Sequence, residues 1–166
     1  MTNPFHWSFR IHCLIGAVFC AALLVYALYV QHVQHIEACP LCIFQRIAFL
    51  AIGVFFLAGA AHGPVCAGRK VYAGLVTLAG LVGVGVAGRH LYLQHLPKDQ
   101  VPDCGPGLGY MLDTFPLAKT LKMVFTGSGE CAEVNWTFLG LSMPGWTLIC
   151  YVILIVAVIW SASRRA

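Results

Sequence analysis

Four long apolar stretches constrain the fold of this chain more than any other feature of its sequence. They cover residues of about 11–30, 43–61, 71–89 and 144–160. Each is close to the ~17–25 residues that a tilted helix needs to cross ~30 Å of hydrocarbon. Only 10% of the residues are charged, against roughly 25% in soluble domains. The sequence therefore predicts an all-α membrane protein, a four-helix transmembrane bundle that forms one domain over residues 1–166.

Charged residues at the helix ends predict the orientation in the membrane. Five basic residues flank one side, which holds no acidic residue: Arg10, Arg69, Lys70, Arg164 and Arg165. By the positive-inside rule this side faces the cytoplasm, so both termini are expected there. The loops of about 31–42 and 90–143 then lie outside and contain every acidic residue. The net charge of +4 follows from this asymmetry and does not indicate a nucleic-acid partner.

The cysteines divide in the same way. Four lie in apolar stretches or on the cytoplasmic side, where thiols stay reduced: Cys13, Cys20, Cys66 and Cys150. The other four lie in the outer loops: Cys39, Cys42, Cys104 and Cys131. An even number of cysteines in an oxidising compartment predicts two disulfides.

The segment from Cys39 to Cys42 is a C-x-x-C motif. Its ring is too small to restrain the unfolded chain much, so stability explains it poorly, and thiol exchange explains it better. Cys42 also falls in the first turn of the predicted second helix, where unpaired backbone N–H groups favour a thiolate. Cys104 and Cys131 lie in a polar loop. The sequence alone allows them to form either a structural disulfide or a pair that takes part in thiol exchange.

A metal site is the alternative use of these cysteines. His32, His35, Cys39 and Cys42 form the pattern H-x2-H-x3-C-x2-C, and zinc accepts all of these ligand types. An oxidising compartment favours a disulfide over metal thiolates, and the two histidines are explained as caps of the first helix. We therefore predict no metal site from the sequence.

Polar residues beside the apolar stretches suggest a second binding function. Arg46 lies four residues after Cys42, hence on the same helix face and about 6 Å deeper in the membrane. A cation there indicates function, although an arginine that snorkels to the headgroups is an alternative. Gln45 adds a neutral donor and acceptor. Arg89 and His90 end the third helix, where they either anchor it or donate to a carbonyl of a flat, apolar electron acceptor.

The second outer loop contains one segment with helical periodicity, over residues of about 114–125. Its apolar residues fall roughly on one side: Phe115, Leu117, Ala118, Leu121 and Phe125. Lys119 and Lys122 lie elsewhere. This pattern predicts a short amphipathic helix on the membrane surface, with an ordinary ordered loop as the alternative.

Two parts of the sequence resemble the bacterial disulfide bond formation protein B (DsbB) family. One is Ala38 to Cys42 with Gln45 and Arg46, and the other is the run from Gly127 to Trp146. The resemblance extends over all four helices and both outer loops. It implies a protein-thiol:quinone oxidoreductase of the bacterial inner membrane, with its active cysteines on the periplasmic side. The partners that it implies are a DsbA-like periplasmic thiol oxidase, the membrane quinone pool and the lipid bilayer.

The resemblance also implies a role for each site residue. The pairs at rest would be Cys39–Cys42 and Cys104–Cys131. The reduced oxidase would attack Cys104 while Cys131 leaves, and Cys131 would then attack Cys39. Cys42 would donate electrons to ubiquinone or menaquinone.

The same resemblance would have Arg46 and His90 hold this quinone, with Gln45 beside them. Gln45 is a departure, because members of this family often carry an acid before the arginine.

Two other classes fit parts of the pattern. A tetraspan interaction protein with structural disulfides would also have four helices and a larger second outer loop. It would not need a C-x-x-C motif at the start of the second helix, nor an arginine one turn below it. A vitamin K epoxide reductase-like enzyme shares the quinone and the four helices, but with a different order of cysteines.

Overall fold

The computed structural model describes residues 9–35, 38–64, 67–97, 110, 113–127, 129–134 and 136–163. Its elements in chain order are α1 (Phe9–Val33), α2 (Pro40–His62), α3 (Ala67–Gln94), α4 (Leu117–Thr126), α5 (Gly129–Ala132), β1 (Thr137–Phe138), β2 (Leu141–Ser142) and α6 (Met143–Ser163). Four residues to which the sequence analysis assigned a location or a role lie outside the described residues: Cys66, Cys104, Arg164 and Arg165.

Four of these helices, α1, α2, α3 and α6, are long and apolar enough to cross a membrane. Large apolar side chains cover their outer faces, among them Val18, Leu50, Leu78 and Val156. An exposed apolar surface of this extent is stable in lipid and not in water. The predicted four-helix transmembrane bundle is therefore confirmed.

The helices extend beyond the apolar stretches at several ends. The second helix begins at Pro40, because proline suits the first turn and Cys39 caps the helix by accepting a hydrogen bond from the Cys42 N–H. The third helix continues past Arg89 to Gln94, because its polar side chains find partners within the protein. Ser142, for example, donates a 2.7 Å hydrogen bond to Gln94.

Successive helices pack as antiparallel neighbours. Helix α2 contacts both α1 and α3, and α3 contacts α6, whereas the contact between α1 and α6 is small. Near the chain ends, Arg10 donates to the Ala60 carbonyl over 2.9 Å, and the rings of His12 and Trp160 lie 5.9 Å apart. The described chain ends therefore lie at the end of the bundle opposite to Cys39.

Tyr151 joins three of the helices in the core. Its ring stacks on Phe49, with centroids 4.1 Å apart, and its hydroxyl donates to the backbone carbonyl of Gln45 over 2.7 Å. Gly83 makes this possible, because a Cβ atom there would lie 2.4 Å from the Tyr151 ring. This contact fixes the depth of the first turns of α2 relative to α3 and α6.

The second outer loop packs on the end of α3. Thr120 and Val124 of α4 are buried, and Val124 belongs to an apolar cluster with Leu93. Arg89 donates to the carbonyl of Thr126 over 2.9 Å at the end of α4. The structure thus contains a helix within the predicted amphipathic segment, although the side chains of Leu117, Leu121 and Phe125 lie outside the described residues.

Candidate active site

The two thiols of the C-x-x-C motif lie at the first turn of α2. Their Sγ atoms are 3.1 Å apart, beyond the ~2.05 Å of a disulfide bond. At this separation the two thiols are in contact without a covalent bond; the Cys39–Cys42 disulfide of the resting protein stays a prediction. Cys39 is buried and Cys42 is partly exposed, so the two sulfurs differ in their access to other molecules.

The imidazole of His90 lies beside both thiols. Its Nε2 is 3.8 Å from Cys39 Sγ, and its Nδ1 is 4.0 Å from Cys42 Sγ. The side chain is only 2% exposed, and the backbone of Cys131 lies within hydrogen-bonding reach of the ring. The third helix therefore places a buried imidazole beside the dithiol.

Gln45 orients this imidazole. Its Nε2 lies 3.1 Å from His90 Nδ1, and its Oε1 accepts from the Thr147 hydroxyl over 2.7 Å. The same hydroxyl is 3.0 Å from the Pro144 carbonyl, and the shorter contact assigns its proton to Gln45. In that assignment the amide donates to Nδ1, so the neutral ring carries its proton on Nε2, facing Cys39.

Arg46 binds the first helix. Its guanidinium donates to the side-chain oxygen of Gln31 and, over 3.2 Å, to the carbonyl of Ala27. Burying a cation near the membrane requires such partners. The fork of donors therefore holds α1 against α2 one turn below Cys42.

A cavity of about 330 Å³ opens beside Cys42. It lies between α1, α2 and α6, and its wall is mostly apolar, with Phe49 at its depth. The side chains of Cys42, Gln45 and Arg46 lie along the polar part of the wall. Its volume falls within the ~300–1,000 Å³ of small-molecule sites, so one thiol of the dithiol faces a mostly apolar cavity large enough for a small molecule.

Aromatic rings from the loop before α6 and from the first turn of α6 form one wall of this cavity. Strands β1 and β2 pair as an antiparallel hairpin, and its turn residues Leu139 and Gly140 have positive φ angles of 49° and 80°. Trp146 donates to the Phe138 carbonyl over 3.0 Å, and the rings of Trp136 and Phe138 stack 6.1 Å apart. The hairpin thus fixes three rings at the mouth of the cavity.

Cys131 lies in the short helix α5 and is fully buried. It packs in one apolar cluster with Cys39, Leu41 and Leu93. Three of the four predicted active cysteines therefore meet at the same end of the bundle. Cys104, the fourth, lies outside the described residues.

Several polar residues that the sequence analysis considered together have different surroundings in the structure. His90 faces the dithiol, whereas its neighbour Arg89 binds the loop. His32 is exposed, with its ring 3.0 Å from the Leu28 carbonyl, and His35 is also exposed. Sequence reasoning missed Thr147, because no sequence signal links it to Gln45 across 102 positions.

Comparison with known proteins agrees with this arrangement. The family described as disulfide bond formation protein DsbB matches residues 9–161. A disulfide bond formation protein B of Nitrosococcus oceani is 55% identical over 150 residues, covering 90% of this chain and 89% of that protein. One of Saccharophagus degradans is 50% identical over 159 residues, covering 96% of each chain.

The match includes all four membrane helices and the loops that bring Cys39, Cys42 and Cys131 together. The relatives match this chain over most of its length. This chain is therefore a four-helix membrane protein of the disulfide bond formation protein B family.

Proposed function

We propose that this protein reoxidises a DsbA-like periplasmic thiol oxidase and passes the electrons to ubiquinone or menaquinone in the bacterial inner membrane. The observation that carries the proposal is the position of Cys42. Its sulfur is 3.1 Å from Cys39, and its side chain also lines the apolar cavity. One residue thus belongs both to a thiol-exchange pair and to a membrane-facing binding site.

The cavity fits a quinone ring in size and chemistry. A quinone is flat and apolar with two carbonyl oxygens, and the wall combines aromatic side chains with the donors of Arg46 and Gln45. Arg46 and Gln45 would hold the ring, with His90 behind Gln45 on the side of the dithiol. When bound, a quinone would supply an acceptor for two electrons and two protons, which is the hard part of the chemistry.

The protein's own residues would carry the thiol exchange. Cys104 would accept the attack of the oxidase, and Cys131 would pass the electrons to Cys39, with which it shares a buried cluster. Oxidation of Cys39 and Cys42 to a disulfide then releases two electrons and two protons. His90 lies where its Nε2 proton can stabilise the thiolate form of Cys39. Because a DsbA-type oxidase is itself a strong oxidant, its reoxidation requires a stronger acceptor such as a quinone.

Burial of the dithiol supports an exchange that is protected from water. Cys39 is 9% exposed and His90 is 2% exposed, so small thiols have little access to them. The positive-inside pattern supports a periplasmic location for this end of the bundle. The basic residues Arg10, Arg69 and Lys70 lie at the opposite end.

A thiol count tests the quinone step without a partner protein. The purified protein is reduced, freed of reductant and mixed anaerobically with ubiquinone or with menaquinone. Alkylation and mass mapping should find that Cys39 and Cys42 lose two thiols for each quinone reduced. Cys20→Ala, which removes a buried thiol of α1, is the matched control and should behave as wild type. Retention of both thiols under saturating quinone would refute the proposal.

A further inference from the structure

Cys39, Cys42 and His90 form a three-ligand cluster. One ligand atom from each residue lies within 4.8 Å of the other two, and no other such group occurs among the described residues. Thiolate sulfur and imidazole nitrogen are the ligands of structural zinc sites. This cluster differs from the sequence pattern, because its histidine comes from α3 and not from the end of α1.

The distances are close to those of a tetrahedral site. Bonds of ~2.3 Å to sulfur and ~2.0–2.1 Å to nitrogen separate two sulfurs by ~3.8 Å and a sulfur from a nitrogen by ~3.5 Å. Cys39 Sγ and His90 Nε2 are 3.8 Å apart, and the two sulfurs are 3.1 Å apart. The three ligand atoms all lie within 4.8 Å of one another. A widening of ~0.7 Å between the sulfurs and a closer approach of Cys42 to the ring, both reached by side-chain rotation, would complete the geometry.

The hydrogen bonds behind His90 can adapt to a metal. Binding through Nε2 requires the ring proton on Nδ1, so the Gln45 amide must turn and accept it. The Thr147 hydroxyl allows this turn, because it lies 3.0 Å from the Pro144 carbonyl and can donate there while accepting from Gln45. When a histidine binds a metal through one ring nitrogen, a hydrogen-bond acceptor for the N–H of the other nitrogen fixes the orientation of the ring and raises the basicity of the ligand. The Gln45 amide oxygen would be that acceptor for His90.

Space and negative charge are present on the open side of the cluster. A small cavity of about 60 Å³ borders Cys39, Cys42 and His90, and Glu130 and Glu133 also line it. That volume holds water, which needs ~10–15 Å³, so a water molecule or a carboxylate can take the fourth position. Arg46 lines the same cavity, but the two carboxylates offset its charge.

We propose that the reduced site binds one Zn²⁺ ion, or another thiophilic divalent cation, through Cys39, Cys42 and His90. Binding releases the two thiol protons and transfers no electrons. A disulfide leaves no thiolate to bind, so oxidation of the pair excludes the ion. The regulatory consequence rests on the proposed function: a dithiol that holds the cation is withheld from the quinone, and the ion is a reversible inhibitor.

Cobalt titration tests the binding directly. Co²⁺ bound tetrahedrally by thiolates absorbs in the visible range, and Zn²⁺ displaces it. The reduced full-length protein in detergent should develop these bands at one equivalent of Co²⁺ and lose them on addition of Zn²⁺. The same protein oxidised at Cys39 and Cys42 should develop none. Absence of the bands from the reduced protein would overturn the proposal.

Variants identify the ligands. Cys39→Ser should abolish the cobalt bands, and Gln45→Ala should weaken Zn²⁺ binding by about 10- to 100-fold, as loss of a histidine's hydrogen-bond partner commonly does. His95→Ala is the matched control, because that histidine follows the last residue of α3, is exposed, and has its ring 2.8 Å from the Leu91 carbonyl. Unchanged binding in His90→Ala would overturn the assignment of the third ligand.

A combined His32→Ala and His35→Ala variant separates the two possible histidine sets. Its cobalt spectrum should match that of the wild type, and loss of the bands would move the site to the end of α1. The spectra need neither quinone nor partner protein. If cobalt binds as described but quinone never oxidises the dithiol, the proposed function fails while the metal site stands.

Discussion

The side-chain amide of Gln45 lies 3.1 Å from Nδ1 of His90, and this buried contact joins α2 to α3 directly beside the dithiol. Thr147 extends it to α6. The side chains of Gln45 and His90 are both almost fully buried. Replacing either of them by alanine therefore leaves a polar atom of the other without a hydrogen-bond partner. The alignment of three helices and the orientation of the imidazole thus depend on one chain of hydrogen bonds.

Gln45→Ala should slow quinone-coupled oxidation of the dithiol about tenfold and also raise KM for quinone, because Gln45 lines the cavity. The loss stays modest because His90 itself remains and only the hydrogen bond that orients its ring is removed. The free energy of unfolding should fall by about 1–3 kcal/mol. Stopped-flow quinone reduction and thermal unfolding in detergent measure the two effects. Ser161→Ala removes a buried hydroxyl far from the site and should leave the rate unchanged.

Arg46→Lys should keep the fold and raise the quinone KM. A lysine retains the charge at the cavity but replaces the planar fork that binds Ala27 and Gln31 with a point charge. Gln31→Ala is the control, because it removes one contact to α1 and leaves the guanidinium at the cavity. If both variants lose stability and neither changes KM, Arg46 is an anchor of α1 and the quinone binds elsewhere.

Gly83→Ala should destabilise the bundle and slow the reaction together. A Cβ at this position would lie 2.4 Å from the Tyr151 ring, and overpacking of a core commonly costs about 1–3 kcal/mol. Displacement of Tyr151 also releases the backbone of Gln45. Gly85→Ala in the same helix meets no atom within 4 Å and should be nearly neutral in thermal unfolding. Equal effects of the two substitutions would contradict this account of the core.

Cys104→Ser should separate the two half-reactions. The variant should still lose the Cys39 and Cys42 thiols when quinone is added, because that pair is intact. It should not oxidise a reduced DsbA-like oxidase, because the thiol that would receive the attack is absent. Alkylation of both proteins after mixing measures this directly. Oxidation of the oxidase at the wild-type rate would rule out the assigned order of cysteines.

The sequence predicted the parts of this fold that depend on local pattern. Apolar runs of sufficient length specify membrane helices, and a C-x-x-C motif before an apolar run places Cys42 in a first helical turn. The helix ends were predicted too short, because Cys39 caps α2 and the polar residues at the end of α3 find partners across the bundle. Those partners could not be found from local periodicity.

The geometry around the dithiol depends on contacts between distant parts of the chain. His90 is 51 positions from Cys39, and Thr147 is 102 positions from Gln45. Sequence reasoning could name His90 and Arg89 as polar residues near one membrane surface. Only packing of α3 against α2 decides that His90 faces the thiols and that Arg89 binds Thr126.

The stoichiometry of coupled turnover shows whether electrons reach the quinone through Cys42. Purified protein is mixed anaerobically with a reduced DsbA-like oxidase and ubiquinone, and quinone reduction is followed by ultraviolet absorbance while partner thiols are counted. We expect one quinone reduced for each disulfide formed in the partner, and no quinone reduced by Cys42→Ser. Quinone reduction at an undiminished rate in Cys42→Ser would contradict it, because electrons would then reach the quinone without the thiol that lines the cavity.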